Sequence, residues 1–168
     1  MTPADLTALK ALLTAPPSRT LAVAESLTCG QLQAAIGSVS GASAFFLGGI
    51  TAYTLEQKVK HLGVDRTTAE ACNCVSEATA REMARGALAM FGADLAVATT
   101  GYAEADPTGG ITEPFAWWAL AGRAGMGVST EALSGRIACP GLSRVAVQAA
   151  VTAGVLQALV THLRSPRG

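Results

Sequence analysis

Apolar residues along the chain follow two rhythms, one of helices and one of buried strands. Between residues 4 and 15 they recur at helical spacing, with Leu6, Leu9, Leu12 and Leu13 on one face. Pro16-Pro17 predicts the end of that helix. Thr20 to Glu25 is a short apolar run of strand length, and Leu27 to Ile36 returns to a helical pattern. Gly41 to Phe46 predicts a further helical turn, broken by Gly48-Gly49, with a strand over Ile50 to Tyr53. Thr54 to His61 predicts a helix closed by Gly63. Asp65 to Val75 has no clear period and is expected to connect. Ser76 is positioned as the N-cap of a long helix to Phe91 whose apolar face carries Met83, Ala87 and Met90.

Asp94 to Thr99 predicts another strand, and Gly101 to Pro114 a loop rich in glycine, proline and acid. Two more strands are expected at 115–121 and 128–133, joined by "GRAGMG" and close enough for an antiparallel hairpin. The last helix, about Leu142 to Leu163, has one thin polar stripe of Arg144, Gln148 and Thr152. Its remaining positions are mostly Ala, Val, Leu and Gly, so it is expected to be buried, to pack on the sheet and to contribute to a subunit interface. Early alternation of strand and helix implies parallel pairing through right-handed crossovers. The whole predicts one three-layer α/β/α domain over 1–168, with a mixed, mainly parallel sheet.

Composition adds to this picture. The 168 residues are 50% hydrophobic and only 14% charged, against a usual ~25% charged, and the mean hydropathy is +0.37. That surplus suits a membrane protein or one that hides extra surface in a homo-oligomer. The longest apolar stretch, Val145 to Val160, is interrupted by Gln148, Thr152 and Gln157, and falls short of the ~20 residues of a span. The N-terminal "MTPADLTALK" lacks the apolar core of a signal peptide. A cytoplasmic homo-oligomer without a membrane partner is therefore expected. Formal net charge is zero and basic residues form no cluster, so nucleic acid is not an expected partner. Cys72-Asn73-Cys74 lacks a second close pair or a histidine at ligand spacing, which argues for reduced thiols and no metal.

Candidate chemistry gathers where strands end. Ser26 follows the strand ending at Glu25, and ligands of open α/β sheets bind beyond the carboxyl ends of strands. Ser26 there could attack an electrophile while backbone N–H groups near Thr28 and Gly30 hold an oxyanion or a phosphate. The other reading is that Ser26 or Thr28 merely caps the next helix. A serine nucleophile needs a base. His61 and His162 sit alone on helix-like segments, so Lys58, with Tyr53 helping the proton move, is the candidate activator; a desolvated lysine loses proton affinity. A solvated helix-face charge is the ordinary alternative for Lys58. Thr100 and Gly101 close a further strand end, offering a hydroxyl and close backbone approach, or simply opening a surface loop.

In order, "AESLTCG", "GASAFFLGGITAYTLEQK", "VSEATAREMARGA", "TTGYAEADPTGG" and "EPFAWWAL" resemble the motifs of the CinA C-terminal domain family, the nicotinamide mononucleotide deamidases, over about residues 20 to 120. The resemblance implies a three-layer α/β/α fold similar to anticodon-binding domains. It implies hydrolysis of the nicotinamide carboxamide to the acid and ammonia, with no metal and no cofactor. It carries the family serine, tyrosine and lysine onto Ser26, Tyr53 and Lys58. Substrate-binding positions fall on Thr28, Cys29, Gly30, Thr100 and Gly101, and the late family arginine on Arg136, with Arg144 as its alternative. The partner is then a small nucleotide. The chain departs from the family pattern at Cys29, where a glycine is usual, and at Asn73. It departs also at Ala103-Glu104-Ala105 with Asp106, and at Glu113-Pro114-Phe115-Ala116. These acids support a second reading, a catalytically degenerate paralogue acting as a nucleotide-binding or assembly module.

Overall fold

A computed structural model of the chain describes residues 3–124 and 133–164. Its elements are α1 (Pro3–Thr14), β1 (Leu21–Glu25), α2 (Gln31–Gly37), β2 (Phe46–Thr51), α3 (Leu55–Leu62), α4 (Arg66–Ala71), α5 (Glu77–Phe91), β3 (Leu95–Tyr102), β4 (Phe115–Gly122), β5 (Leu133–Ala138) and α6 (Arg144–Arg164). The strands form one mixed sheet of order β2-β1-β3-β4-β5. β1 runs parallel to both β2 and β3, whereas β3–β4 and β4–β5 are antiparallel.

Strand alternation sorts the two faces of this sheet by side-chain size. Leu21 and Val23 of β1, Leu95 and Val97 of β3, and Trp118 and Leu120 of β4 join one core with α1, α2 and α6. Ala22, Ala24, Ala96, Ala98, Ala119 and Ala121 point the other way, into a second core with α3, α4 and α5. Alternate residues of a strand must face opposite sides. The alanine face leaves little space between sheet and helix, and α5 meets it with Ala80, Met83, Ala84 and Ala87. α5 and α3 also touch closely: a Cβ on Gly86 would lie 2.1 Å from the Leu62 carbonyl oxygen. A glycine is the residue that permits this contact.

Several expected boundaries move. Gly48-Gly49 does not break an element but lies inside β2. Pairing with β1 skips from Leu21–Phe46 to Ala22–Gly48, and the positive φ of 134° at Gly48 accommodates this bulge. The expected turn at 41–46 is the single 3-10 turn Ala42–Ala44. The connector at 65–75 contains α4, capped by Asp65, whose side chain accepts from the Thr68 amide. β3 runs on to Tyr102, beyond the expected start of the loop. The strand expected at 128–133 lies outside the described residues apart from Leu133, where β5 begins. Met90 is exposed, not part of the buried face of α5.

α6 buries one face, including Val147, Val151, Val155 and Leu159, and Val145 is 69% exposed, so it is not buried all round. By length and composition alone this helix could cross a membrane. Here its buried face instead meets the large-residue side of the sheet together with α1. Its polar stripe is used locally. Gln148 donates to the Leu27 carbonyl oxygen at 2.8 Å and accepts from Gln31 at 3.2 Å, tying α6 to the turn after β1.

Candidate active site

The order β2-β1-β3 decides where a cleft can form. α2, which follows β1, packs on the large-residue face. The α3–α5 segment leading into β3 packs on the alanine face. Connections that leave on opposite faces open a crevice at the carboxyl ends of the adjoining strands. Ser26, directly after β1, lies there, held to β3 by its amide donating to the Thr99 carbonyl oxygen at 3.0 Å. The cleft has a volume of about 470 Å³ and is lined by Ser26, Lys58, Cys74, Thr100, Glu104 and Arg144, among others.

Ser26 and Lys58 form the floor. They are 6% and 2% exposed. Lys58 Nζ donates to Ser26 Oγ at 3.0 Å and to the Tyr53 carbonyl oxygen at 2.8 Å. Lys58 lies in the first turn of α3, and its chain bends back over the helix start to reach both acceptors. Burial pushes its pKa below the ordinary 10.5, an effect opposed in part by the neighbouring Cys74 thiol. Among the described residues no carboxylate accepts from Nζ, so the protonated form has no counter-ion there at hydrogen-bond distance. A neutral Nζ carries a lone pair toward the serine hydroxyl, the geometry a general base requires.

Cys74 belongs to the turn between α4 and α5, where Asn73 and Cys74 have positive φ values of 48° and 60°. Burial raises its thiol pKa, while Lys58 pulls it down. Thr100 donates its hydroxyl to the Cys74 carbonyl oxygen at 2.7 Å. Thr100 thus lines the cleft but spends its proton on holding this turn. Gly101 is also at the cleft wall. A Cβ there would come 2.3 Å from the Phe115 carbonyl oxygen, so its lack of a side chain serves the β3–β4 pairing.

The turn after β1 differs from the sequence expectation. Glu25, fully buried, points its side chain at the start of α2. Its Oε2 accepts from the amides of Gly30 at 3.1 Å and Leu32 at 3.0 Å, and its Oε1 from that of Gln33 at 2.8 Å. The helix N-terminus is therefore satisfied by the chain itself and not open to a phosphate. Cys29 and Gly30, with φ of 49° and 93°, form the left-handed corner that lets α2 start over Glu25. The Cys29 amide donates to the Ser26 carbonyl oxygen. These bonds leave untaken the amides of Leu27 and Thr28. Thr28 is buried, its hydroxyl paired with that of Thr99 at 2.8 Å. Thr28, Cys29 and Gly30 thus shape the elbow and do not line the cleft.

Tyr53 and the arginines are arranged in an unexpected way. Tyr53 is 47% exposed, and its hydroxyl accepts from Arg144 Nη2 at 2.6 Å; the atom of Tyr53 that meets Lys58 is its backbone oxygen. Arg144 Nη1 donates to Glu104 Oε2 at 2.7 Å. A chain of Tyr53, Arg144 and Glu104 crosses the cleft mouth, joining the approach to α3, the first residue of α6 and the β3–β4 connection. Arg136 sits on β5 with its guanidinium 4.1 Å from the centre of the Phe115 ring, outside the cleft lining. Its place at the cleft is taken by Arg144. No group of three or more His, Cys, Asp or Glu that could hold a metal occurs among the described residues.

The sequence pattern contained signals for some of what was missed. Gln148 and Arg144 share one polar stripe on an otherwise apolar helix, and both prove to serve the cleft region. Glu25 closes a buried strand where an apolar residue would be usual, which marks it as paired. Cys74 had no signal, because its place beside Lys58 comes from the turn after α4.

Comparison with known proteins agrees with this architecture. The family model described as the CinA C-terminal domain matches residues 6–163. A CinA-like protein of Chlorobium limicola is 53% identical over 93 residues, which is 55% of this chain and 21% of that protein. One from Chlorobaculum tepidum is 50% identical over 94 residues, 56% of this chain and 22% of that protein. The matched region thus spans about a fifth of the length of these relatives. Among solved structures, a competence-damaged protein (CinA) superfamily protein from Klebsiella pneumoniae superimposes with a TM-score of 0.84 at 30% identity, covering 95% of this chain and 96% of its own. The competence/damage inducible protein CihA from Agrobacterium tumefaciens gives 0.81 at 26%, covering 96% and 98%. With its motifs, its sheet order and its matched span in agreement, the chain belongs to the CinA C-terminal domain family.

Proposed function

We propose that this protein is an amidohydrolase that deamidates nicotinamide mononucleotide, or a related pyridine nucleotide, to the acid and ammonia. The observation that carries the reading is the buried 3.0 Å contact between Lys58 Nζ and Ser26 Oγ, with burial lowering the lysine's proton affinity. A lysine in that state is a competent base for a serine nucleophile.

Ser26 Oγ attacks the carboxamide carbon while Lys58 takes the hydroxyl proton. The Oγ–C bond forms, and the carbonyl oxygen becomes an oxyanion beside the Leu27 amide, which these hydrogen bonds leave untaken. Lys58 then returns the proton to the nitrogen as the C–N bond breaks and ammonia leaves. Water attacks the acyl ester, giving up a proton to Lys58; the ester C–O bond breaks, and Ser26 regains its proton. Tyr53 contributes its carbonyl oxygen, which orients Nζ, and its phenol, which orients Arg144. No metal or cofactor is needed for these steps.

A second reading, a degenerate paralogue serving as a nucleotide-binding or assembly module, is favoured by one observation. Arg144, the arginine lining the cleft, is already engaged by Glu104. Ammonia release from nicotinamide mononucleotide and nicotinamide riboside, by the purified protein beside Ser26→Ala, separates the two. Release that is lost in the variant supports the amidase. Release that persists removes Ser26 from the mechanism, and no release from either substrate favours the module.

A further inference from the structure

We infer that Gln148 is a positioning residue for the proposed deamidation: from α6 it pins the middle peptide of the turn that carries Ser26 and the Leu27 amide. This rests on the amidase reading and adds a residue to its site.

The turn after β1 is a run of short backbone bonds with one missing. The Cys29 amide donates to the Ser26 carbonyl oxygen at 3.1 Å, and the Gln31 amide to that of Thr28 at 3.0 Å. The bond that would lie between them, from the Gly30 amide to the Leu27 carbonyl oxygen, is not made, because Gly30 donates to Glu25 Oε2 instead. Leu27 is 2% exposed, and a buried carbonyl oxygen needs a donor. Gln148 Nε2 supplies one at 2.8 Å. The Leu27 oxygen can only accept, so Gln148 must face it with its nitrogen and turn Oε1 to Gln31 Nε2, 3.2 Å away. Both ends of the Gln148 amide are therefore set.

Turn geometry carries this contact to the nucleophile. Ser26 to Cys29 is a four-residue turn whose middle peptide joins Leu27 to Thr28. Turn types differ in the rotation of that peptide while their ends stay in place. Thr28 is not among the non-glycine residues with positive φ, and a full flip would force it there, against the preference of a β-branched residue. Gln148 acts on the smaller rotations that remain. The bond from Cys29 to the Ser26 oxygen closes the ring containing the middle peptide. A tilt of that peptide loosens the bond, and with it the direction of the Leu27 N–H on the adjoining peptide. The Thr28 hydroxyl, paired with that of Thr99, and the Ser26 amide, bonded to the Thr99 carbonyl oxygen, anchor the turn to β3 without touching the Leu27 oxygen. Its partner comes from a helix 121 residues away in sequence.

The test measures kcat and KM for ammonia release from nicotinamide mononucleotide by the parent, Gln148→Met, Gln31→Met and the double variant, with the urea midpoint of each. Gln148→Met keeps the length of the side chain and removes its donor. Its kcat should fall about tenfold, less than the roughly hundredfold or more of losing an oxyanion donor outright, while KM stays within about twofold of the parent. Gln31→Met should lower kcat less, and the double variant no further than Gln148→Met, since both act through one bond. A parental kcat in Gln148→Met overturns the inference and leaves the amidase reading standing. A defect confined to KM does the same, as do losses that multiply in the double variant. If the urea midpoint shows Gln148→Met to be unfolded under assay conditions, Gln31→Met decides alone: a lowered kcat at parental KM supports the inference, and a parental kcat overturns it. No ammonia from the parent overturns the amidase reading, and the positioning role with it.

Discussion

Replacing Glu25 by alanine removes the support beneath the candidate nucleophile. Three amides lose their acceptor: Gly30, Leu32 and Gln33. Leu32 is fully buried, so its orphaned N–H costs about 1–3 kcal/mol. Gly30 and Gln33 are half-buried and reach some water, so each loses nearer the net worth of a hydrogen bond, about 0.5–1.5 kcal/mol. The expected loss is about 2–6 kcal/mol in all, a large part of the 5–15 kcal/mol that typically separates folded from unfolded chains. With a urea slope of about 2 kcal/mol/M, the midpoint should fall by about 1–3 M. Glu25→Gln keeps one acceptor oxygen. Its best rotamer serves Gly30 and Leu32 and turns an NH2 toward the Gln33 amide, so its midpoint should lie between those of alanine and the parent. A midpoint moved by less than about 0.5 M in Glu25→Ala, with m unchanged, would refute the claim that the carboxyl group carries the start of α2. Ammonia release should fall with it, since Ser26 adjoins Glu25 and shares its turn.

Three further outcomes follow from the Lys58 environment and from the contact between α3 and α5. Ammonia release should rise with pH as Lys58 loses its proton, with an inflection below the 10.5 of an ordinary lysine; a profile that climbs only in the free-lysine range sinks the assignment, and Lys58→Arg, which stays protonated, should be inactive. The same shift makes unfolding take up a proton between the two pKa values, so this group's contribution to stability grows as pH rises through that window, a gain that Lys58→Met should abolish in denaturant titrations at several pH values. Gly86→Ala places a methyl 2.1 Å from the Leu62 carbonyl oxygen and should lower stability by about 1–3 kcal/mol through forced separation of α3 and α5, whereas an unchanged urea midpoint would show that the two helices move apart freely.

Local pattern carried much of this protein. The alternation of Leu and Val with Ala along β1 and β3 is enough to predict strands with unlike faces, because successive side chains must point to opposite sides. Ser76, with its hydroxyl accepting from the Thr79 amide at 3.1 Å, caps α5 as its residue type predicts. Ser26 and Lys58 could be nominated from their places after a strand and in a helix start. Their meeting could not, since it depends on α3 packing on the opposite face from α2. Gly48-Gly49 misled, because glycines that end a helix also suit a bulged strand, and only pairing with β1 distinguishes the two. Arg136 and Arg144 were indistinguishable by type; the place of the first on β5 puts it over Phe115, and the start of α6 puts the second at the cleft mouth. Glu25 shows the division most clearly. The chain alone supplies an acid at the end of an apolar strand; whether that acid faces a ligand, a metal or the amides of its own helix is decided by the left-handed corner at Cys29 and Gly30, which brings α2 back onto it. Periodicity is a property of neighbours in sequence, whereas the partner of a buried charge is chosen by whichever group the fold brings within 3 Å.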